Sequence, residues 1–444
     1  MTVTYVLTTD VGKVRLLIGD KAIATAHFTD EELTVFLADE GSVNLGAAAA
    51  LEAWAAEYSA NADSEKIGDY CLPTTAQALS RSGWCGPERL KIGDEIIAYD
   101  SIKDELKWAK VLDVHAVEYD GQMLKLQSGY QNVTFSTMAS PNHRWYVRPL
   151  FHTAKWQQRI HKTTELNSWD RIPLSAQYND GGIEPQWADD FVECVGWFVT
   201  EGNFQKNGVG IYAAFINQSQ SANPESCERI RRCLSRLLWG DVPEHSHGDG
   251  NIGFYIGNKT WLYHSLRLVC PRKQLEMAFV NQLTASQLRL LLEVMLLGDG
   301  DKSRLRFYQQ DNETMASFQA IAVMCGFGTY LTQKDTKKPQ SEAVFSLSCL
   351  TKIYRGVKAL LRGWVDYSGT IWCPNTALGT WLARDNGFTF ITGNSYSQSI
   401  ASKMLASAAR LRTNAATALT APAFGWGNYD LIAAAEDDEG EFEI

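Results

Sequence analysis

An alanine-rich helical pattern occupies both ends of this chain and is interrupted in the middle by sequence of a different kind. Near the start, Thr29 and Glu32 form a capping-box pattern before EELTVFL, and LGAAAALEAWAAEY adds strong helix formers. Near the other end, SYSQSIASKMLASAARLRTNAATAL resumes that pattern before an acidic tail, EDDEGEFEI. A helical protein with this arrangement has to accommodate an insertion between its two parts.

The insertion has two layers. Residues 71–165 and 355–394 contain short alternating segments such as GDEIIAYD, which predict β-strands, whereas residues 187–350 mix apolar helices with strands. We therefore expect a multidomain chain. Helical segments 1–70 and 395–444 flank an all-β domain, and an α+β domain interrupts that all-β domain in turn.

Composition excludes several classes of protein. The net charge of -10 over 444 residues argues against a protein that coats nucleic acid. The N-terminus lacks the basic-then-apolar order of a signal peptide, and no apolar run reaches the ~18 residues of a membrane span. Nine cysteines without a C-x-x-C pair fit neither a disulfide framework nor a zinc ribbon. We expect a cytoplasmic chain with reduced thiols and no membrane partner.

The two ends of the β-rich insertion carry reactive groups. Tyr70 is followed by Cys71 at one end, and Asn394 is followed by Ser395 at the other. These residues supply a thiol, a side-chain amide that can cyclise and a hydroxyl that can accept an acyl group. Such groups can exchange peptide bonds through covalent intermediates without ATP.

Three stretches of the insertion resemble the Hint/intein family. CLPTTAQALSRSGWCGPERLKIGDEIIAYD begins with Cys71 at the first intein position, and SPNHRWYVR contains a matching His143, with Ser140 where threonine is usual. IWCPNTALGTWLARDNGFTFITGNS ends on the terminal Asn394 and the first downstream residue, Ser395. The resemblance implies an all-β splicing domain that excises itself and joins the flanking segments.

Three further residues indicate a mechanistic class. Trp145, Cys373 and Thr392 match the Trp, Cys, Thr signature of the third class of inteins. In that class the internal cysteine attacks the upstream junction directly. The resemblance thus implies that Cys373 attacks the carbonyl of Tyr70 and that the acyl group then passes to the Ser395 hydroxyl.

The same resemblance implies the remaining steps. His143 would protonate the departing nitrogen, which its ordinary pKa near 6.5 allows near neutral pH. Asn394 would cyclise and release residues 71–394 as a free insert of 324 residues, leaving Tyr70 joined to Ser395 in a product of 120 residues. Splicing of this kind requires no cofactor.

Two departures from the family leave alternatives open. Cys71 is present where members of the class often lack a nucleophile, so an ordinary N-to-S shift through Cys71 remains possible. Gly393 replaces the histidine that usually assists asparagine cyclisation, so another group has to help. By default a cysteine such as Cys373 is a small buried hydrophobe, and Trp145 is core packing under either interpretation.

A second pair of motifs lies within residues 187–350. VECVGWFVTEG and LLLEVMLLGDG are apolar helices that end in an acid and a glycine, and they resemble the paired motifs of LAGLIDADG homing endonucleases. Gly196 and Gly298 would let the helices approach, which would bring Glu201 and Asp299 together as ligands for Mg²⁺. The alternative is two core helices whose acids are exposed to solvent.

The endonuclease resemblance implies a double-stranded DNA partner, read by the β-strands of two pseudo-symmetric halves. Phosphate contacts would require clustered cations. The candidates fall in two strand-like stretches: Lys302, Arg304, Arg306, Lys334, Lys337 and Lys338. An endonuclease that has kept its fold and lost its activity is the alternative.

The joined flanking segments resemble small phage head-tail connector or head-completion proteins, mainly through TDVGKVRLLIGD, FTDEELTVFL and the GDYSYSQS join. The resemblance implies a subunit of a homo-oligomeric ring in the virion, with phage capsid and tail proteins as partners. Three alternatives remain. They are an unrelated small helical protein, a Hint module that cleaves without ligating, and a structural phage component whose insert is inert.

Overall fold

The computed structural model describes residues 3–21, 26–60, 71–128, 135–149, 159–207, 210–246, 250–334, 344–394 and 400–420. The chain divides into two compact units. One comprises Met1–Glu65 with Ser397–Ile444, and the other is Lys66–Tyr396. Both boundaries fall within a few residues of the junctions expected from the sequence.

The helices of the described residues are α1 (Asp10–Ile18), α2 (Asp30–Glu40), α3 (Val43–Ala60), α4 (Asp189–Glu201), α5 (Pro224–Leu238), α6 (Trp261–Val269), α7 (Met277–Val280), α8 (Ala285–Gly298), α9 (Asn312–Met324) and α10 (Ile400–Thr420). Within these ranges no helix combines the length and apolar character that a bilayer crossing requires.

The strands are β1 (Leu72–Pro73), β2 (Gln77–Ser80), β3 (Gly83–Cys85), β4 (Glu95–Asp100), β5 (Glu105–Ser128), β6 (Ser136–Ala139), β7 (Arg144–Pro149), β8 (Arg159–Lys162), β9 (Asp170–Pro173), β10 (Gln177–Tyr178), β11 (Gly202–Asn207), β12 (Gly210–Ser219), β13 (Glu244–Ser246), β14 (Asn251–Gly257), β15 (Gly300–Asp301), β16 (Arg306–Gln309), β17 (Gly328–Lys334), β18 (Val344–Leu350), β19 (Tyr354–Gly356), β20 (Leu360–Thr376), β21 (Thr380–Asp385) and β22 (Phe388–Gly393). In the described part of the chain, only the pairing of β10 with β5 is parallel.

The first unit is a helical bundle built from sequence on both sides of the insertion. The capping box of Thr29 and Glu32 forms at the start of α2. Helix α10 contributes Ala408 to the same apolar core as α1, α2 and α3. On the rim of that core, the Arg412 guanidinium of α10 donates to Glu40 and Glu52. The two terminal segments thus fold as one body although more than 300 residues separate them in the chain.

A long antiparallel ladder organises the β-rich part of the second unit. Strand β20 pairs with β5 from Leu360 opposite Ser128 to Thr376 opposite Val111, and the register shifts between Asn375 and Thr376. Strand β1 extends this ladder on the other side of β20, and β4, β2, β21 and β22 continue the sheet beyond β5. The sheet therefore places the first strand of the insertion beside its last segments.

The α+β part contains the same element order twice. Elements α4, β11, β12, α5, β13 and β14 are followed by α8, β15, β16, α9, β17 and β18. The strands also pair in corresponding orders, β11-β12-β14-β13 in one half and β15-β16-β18-β17 in the other. Each half is therefore one helix–strand–strand–helix–strand–strand unit.

The two parts of the insertion share strands at their boundary. Tyr330 of β17 pairs with Phe388 of β22, which joins the sheet of the second half to the β-rich sheet. Strands β9 and β19 pair with each other next to β7, so the stretch between residues 165 and 187, which the sequence left unassigned, belongs to the β-rich part.

Helices α4 and α8 pack closely because glycine faces the partner helix at two positions. A Cβ atom at Gly196 would lie 2.8 Å from the Val294 side chain. One at Gly298 would lie 2.2 Å from Oγ1 of Thr200. Neither distance is sterically allowed for a carbon atom, so a larger residue would push the helices apart.

We therefore expect Gly298→Ala to lower the free energy of unfolding by about 1–3 kcal/mol, because overpacking forces backbone shifts. Denaturant unfolding of the full chain, followed by tryptophan fluorescence, measures this change. Gly240→Ala is the matched control, since a Cβ there meets nothing within 4 Å. Equal stability of the two variants would contradict close packing at Gly298.

Candidate functional site

The first residue of the insertion is held through its backbone by Ser140. The Cys71 N–H donates to Ser140 Oγ at 2.9 Å, and the same hydroxyl donates to the Cys71 carbonyl at 3.2 Å. The Ser140 N–H also donates to this carbonyl at 3.2 Å. Both residues are fully buried. The peptide groups that flank Cys71 are thus fixed by one short turn that leads into β7.

That turn also positions His143. Its N–H donates to the Ser140 carbonyl at 3.0 Å, and its Nε2 lies 2.6 Å from Thr392 Oγ1 at the end of β22. The imidazole packs edge-on against Trp145, whose Nε1 donates to Thr163 Oγ1 at 3.0 Å. His143, Trp145 and Thr392 are fully buried, so the imidazole can neither rotate freely nor contact bulk water.

Cys373 lies on β20 beside the start of the insertion. Leu72 pairs with Trp372, and the same register, extended by one residue, sets Cys71 opposite Cys373. Both cysteines are buried, and none of the nine cysteines, all of which the structure describes, forms a disulfide. The Cys373 Sγ atom lies 4.0 Å from the carbonyl oxygen of Gly393. The thiol therefore lies between the two ends of the insertion.

A histidine lies opposite Cys373 in the β5–β20 ladder. Cys373 pairs with His115 of β5, and His115 Nε2 lies 3.2 Å from Asp113 Oδ2. Directly paired residues on antiparallel strands project to the same face. Asp113 therefore orients the His115 imidazole on the strand next to Cys373.

Asn394 is anchored by backbone and side chain. Its N–H donates to the Gly379 carbonyl at 3.1 Å, and its Nδ2 donates to Asn375 Oδ1 at 2.7 Å and to the Thr376 carbonyl at 3.1 Å. The side chain is 4% exposed, so water cannot replace these acceptors.

Gly393 cannot be replaced by a residue with a side chain. A Cβ there would lie 2.4 Å from the carbonyl oxygen of Arg144, and the Gly393 carbonyl accepts from Trp381 Nε1 at 3.2 Å. The β7 backbone thus occupies the space that a side chain at residue 393 would need, which excludes the histidine that the intein resemblance would lead us to expect there.

The structure brings together the predicted splicing residues that it describes. They are Cys71, Ser140, His143, Trp145, Cys373, Thr392, Gly393 and Asn394. Tyr70 and Ser395 lie outside the described residues.

The second predicted site lies at the ends of α4 and α8. Glu201 and Asp299 are half-buried, and each accepts a hydrogen bond from a glutamine of its own half. Gln218 Nε2 donates to Glu201 at 3.1 Å, and Gln309 Nε2 donates to Asp299 at 3.0 Å. Burial raises the pKa of both carboxyl groups, and the charge of Asp299 raises the pKa of Glu201 further.

Lys273 brings a cation to this acid pair. Its Nζ donates to the Thr200 carbonyl at 2.7 Å, immediately before Glu201. Burial lowers the pKa of this ammonium, and the charges of Asp299 and Glu201 oppose that shift. The described part of the chain contains no cluster of three or more His, Cys, Asp or Glu side chains suited to a metal. The acid pair would therefore need water or phosphate oxygens to complete a coordination shell.

The predicted phosphate-binding cations are partly engaged within the protein. Lys302 Nζ lies 3.0 Å from Glu293, and Arg304 Nε lies 3.5 Å from Asp301. Arg306 donates to Ser348 Oγ. Lys334 ends β17, where the structure describes only its backbone, and residues 337 and 338 (Lys337 and Lys338) lie outside the described residues.

Sequence reasoning missed several residues of both sites. Gln218 and Gln309 lie on corresponding strands of the two halves, β12 and β16, but they follow Phe215 and Phe307 at different distances, so the segments FINQ and FYQQ offer no shared spacing as a signal. His115, Asn375 and Lys273 carried no local signal, because strand register or a connecting loop brings each of them to its site.

The acid pair predicts a pH dependence of stability. Because both folded pKa values lie above the ordinary 4.5 of glutamate and 3.8 of aspartate, stability falls as pH rises from these values through the raised ones. We expect Glu201→Gln to raise the unfolding free energy at pH 7 by about 0.5–1 kcal/mol without divalent cations, because it removes a like-charge repulsion.

Thermal unfolding at pH 4 and pH 7 measures this effect, with Asp241→Asn as the control, because Asp241 is exposed and distant in sequence from both acids. A larger gain at pH 4 than at pH 7 would contradict the assignment.

Comparisons with known proteins give only remote matches. No protein-family model and no curated protein matches the sequence. Among solved structures, a variant of the AceL NrdHF class 3 split intein is 8% identical, with a TM-score of 0.28 over 74% of this chain and 99% of that one. A variant of the homing endonuclease I-DmoI is 12% identical, with a TM-score of 0.30 over 37% of this chain and 89% of that one.

A bacterial intein-like domain from Clostridium thermocellum is 19% identical, with a TM-score of 0.19 over 23% of this chain and 66% of that one. At such TM-scores these matches carry no weight in the interpretation, which depends on the geometry described above.

Proposed function

We propose that the chain is a self-splicing precursor whose insert, residues 71–394, excises itself and joins Tyr70 to Ser395. One observation carries this proposal. Residues from opposite ends of the insert, Cys71 and Thr392, are linked through the single turn that contains Ser140 and His143. A protein whose inserted domain had no role at its own ends would not need to bury a thiol, an imidazole and a carboxamide there.

The first step is attack by the Cys373 sulfur on the Tyr70 carbonyl carbon. The C–N bond to Cys71 breaks, a thioester forms, and the departing nitrogen receives a proton from His143. Ser140 fixes the Cys71 peptide during this step. His115, which pairs with Cys373 across β5 and β20, would accept the thiol proton.

Transfer to the downstream residue completes the exchange. The Ser395 hydroxyl attacks the thioester, which restores the Cys373 thiol and gives an ester. The side-chain amide nitrogen of Asn394 then attacks the main-chain carbonyl carbon of the same residue, which frees the Ser395 amine. The acyl group finally moves from the Ser395 oxygen to the Ser395 nitrogen. The proposed splicing residues can carry out these steps without a cofactor.

Two cysteine variants test which thiol attacks first. We expect Cys71→Ala to splice, because direct attack does not use this thiol, and Cys373→Ala to remain uncleaved at the upstream junction. Gel electrophoresis and intact mass of each variant, expressed under reducing conditions, measure the products. Cys85→Ala is a control, since this buried thiol lies on β3 outside the site. Splicing by Cys373→Ala and its loss in Cys71→Ala would return the mechanism to the N-to-S shift.

We further propose that the α+β part is a site-specific DNA endonuclease that uses Mg²⁺. The donor set fits this ion, because Glu201 and Asp299 offer hard oxygen ligands whose raised pKa values record an electrostatic cost that a cation would remove. Gln218 and Gln309 hold the carboxylates in place, and Lys273 adds positive charge for a phosphate. A bound divalent cation would supply an activated water and charge stabilisation of the leaving oxygen.

The endonuclease proposal predicts separable activities. We expect Glu201→Gln and Asp299→Asn each to abolish cleavage of a duplex that encodes the uninterrupted 120-residue product, while splicing continues at the unaltered rate. Plasmid linearisation with and without Mg²⁺ measures cleavage, with Asp241→Asn as the control. Cleavage that persists in both acid variants would refute the site, and a folded chain that cleaves no such duplex would indicate an inert endonuclease.

The joined flanking segments would form a helical protein of 120 residues. We propose, from their sequence resemblance, that it serves in the virion as a homo-oligomeric head-tail connector subunit after splicing in the host cytoplasm. The observed bundle is compatible with this proposal, because ion pairs from Arg412 to Glu40 and Glu52 join α10 to α2 and α3, so the two flanking segments already form one helical body.

A further inference from the structure

The asparagine expected to cyclise is held by a second asparagine. Asn394 Nδ2 has two acceptors, Asn375 Oδ1 at 2.7 Å and the Thr376 carbonyl at 3.1 Å. Asn375 is 1% exposed and Thr376 is fully buried. Both protons of the amide thus have partners, and neither partner can exchange readily with solvent.

The local backbone makes these acceptors available. The β5–β20 register shifts between Asn375 and Thr376, so the ladder is interrupted at this point. The extra residue of this bulge, Leu112, lies on β5, and Thr376 is the last residue of β20. Because the ladder ends at Thr376, its carbonyl is available to other donors and accepts from the Gly379 N–H at 3.0 Å and from Asn394 Nδ2 at 3.1 Å. The Thr376 hydroxyl donates to the Thr380 carbonyl at 2.8 Å, which closes the turn before β21.

No histidine can occupy the position before Asn394. A Cβ at Gly393 would collide with the Arg144 carbonyl oxygen, so the usual assisting imidazole is sterically excluded. The reaction nevertheless needs an amide nitrogen with a fixed orientation and increased electron density. Acceptors on its N–H groups provide both, because they set the side-chain torsion and draw the protons away from nitrogen.

We propose that Asn375, together with the Thr376 carbonyl, positions Asn394 for cyclisation in place of the missing histidine. The inference rests on the proposed splicing function. In this step a bond forms between Asn394 Nδ2 and the main-chain carbonyl carbon of Asn394, and the bond from that carbon to the Ser395 nitrogen breaks. One proton leaves Nδ2 and one is gained by the departing amine, so the products are a succinimide and a free amino group.

The test compares Asn375→Ala and Asn375→Asp in the full chain. We expect Asn375→Ala to slow release of the insert by about 10- to 100-fold, because the nucleophile loses its orientation. The upstream step should continue, so a branched ester, from which hydroxylamine releases residues 1–70, should accumulate, and we expect the same of Asn394→Ala. Asn375→Asp keeps an acceptor and should remain within about threefold of the unaltered rate.

Asn217→Ala is the matched control. Asn217 makes a side-chain hydrogen bond of 2.9 Å to Asn203, also between two asparagines, but on the exposed surface of β12. The Asn217→Ala variant should splice at the rate of the unaltered chain.

Three results would overturn the inference while leaving splicing established. They are normal release by Asn375→Ala, equal loss of both steps in the alanine and aspartate variants, and premature liberation of residues 395–444, which would mean that Asn375 restrains the amide. An unaltered chain that never cleaves at either junction would instead remove the splicing proposal, and this inference with it.

Discussion

The hydrogen bonds between Ser140 and the backbone of Cys71 are the constraint on which the rest of the β-rich structure depends. They fix the start of the insertion against the turn that carries His143, and His143 in turn reaches Thr392 near the other end. The β1–β20 pairing reinforces the same closure at the level of the backbone. Closing a loop of this length costs entropy that grows only slowly with chain length. That slow growth is why a whole α+β domain can sit between β10 and β19 without opening the site.

The two proposed sites of the insertion differ in how far the free-energy cost of burying their polar groups is offset. At the closure, polar groups are buried and nearly all of them are paired, so their desolvation is offset by hydrogen bonds. At the ends of α4 and α8, two carboxylates are brought together with only glutamine amides and the nearby Lys273 to balance them. The close helix packing at Gly196 and Gly298 maintains this unfavourable arrangement. This electrostatic cost is the physical basis of the proposed divalent-cation site.

The sequence predicted the helical ends, the β-rich insertion and the paired apolar helices, because each has a local pattern of capping, alternation or apolar periodicity. Short motifs also indicated residues for both proposed sites, and the roles of those residues stay predictions. The sequence did not predict Asn375, His115 or Lys273, since strand register or a connecting loop places each of them. The strands between residues 170 and 178 were missed as well, because β9 and β10 are too short to show alternation. No sequence pattern explains why residue 393 is glycine. The Arg144 carbonyl, which lies where a Cβ atom at Gly393 would be, explains it.

The central claim is that the two ends of the insertion react with each other. Trypsin digestion of the unaltered chain, after expression under reducing conditions, tests it directly by mass spectrometry. The account predicts the junction peptide IGDYSYSQSIASK, in which Tyr70 is bonded to Ser395, a sequence that no contiguous segment of the precursor contains. Recovery of only the uncut junctions, with Tyr70 still bonded to Cys71 and Asn394 to Ser395, would contradict it.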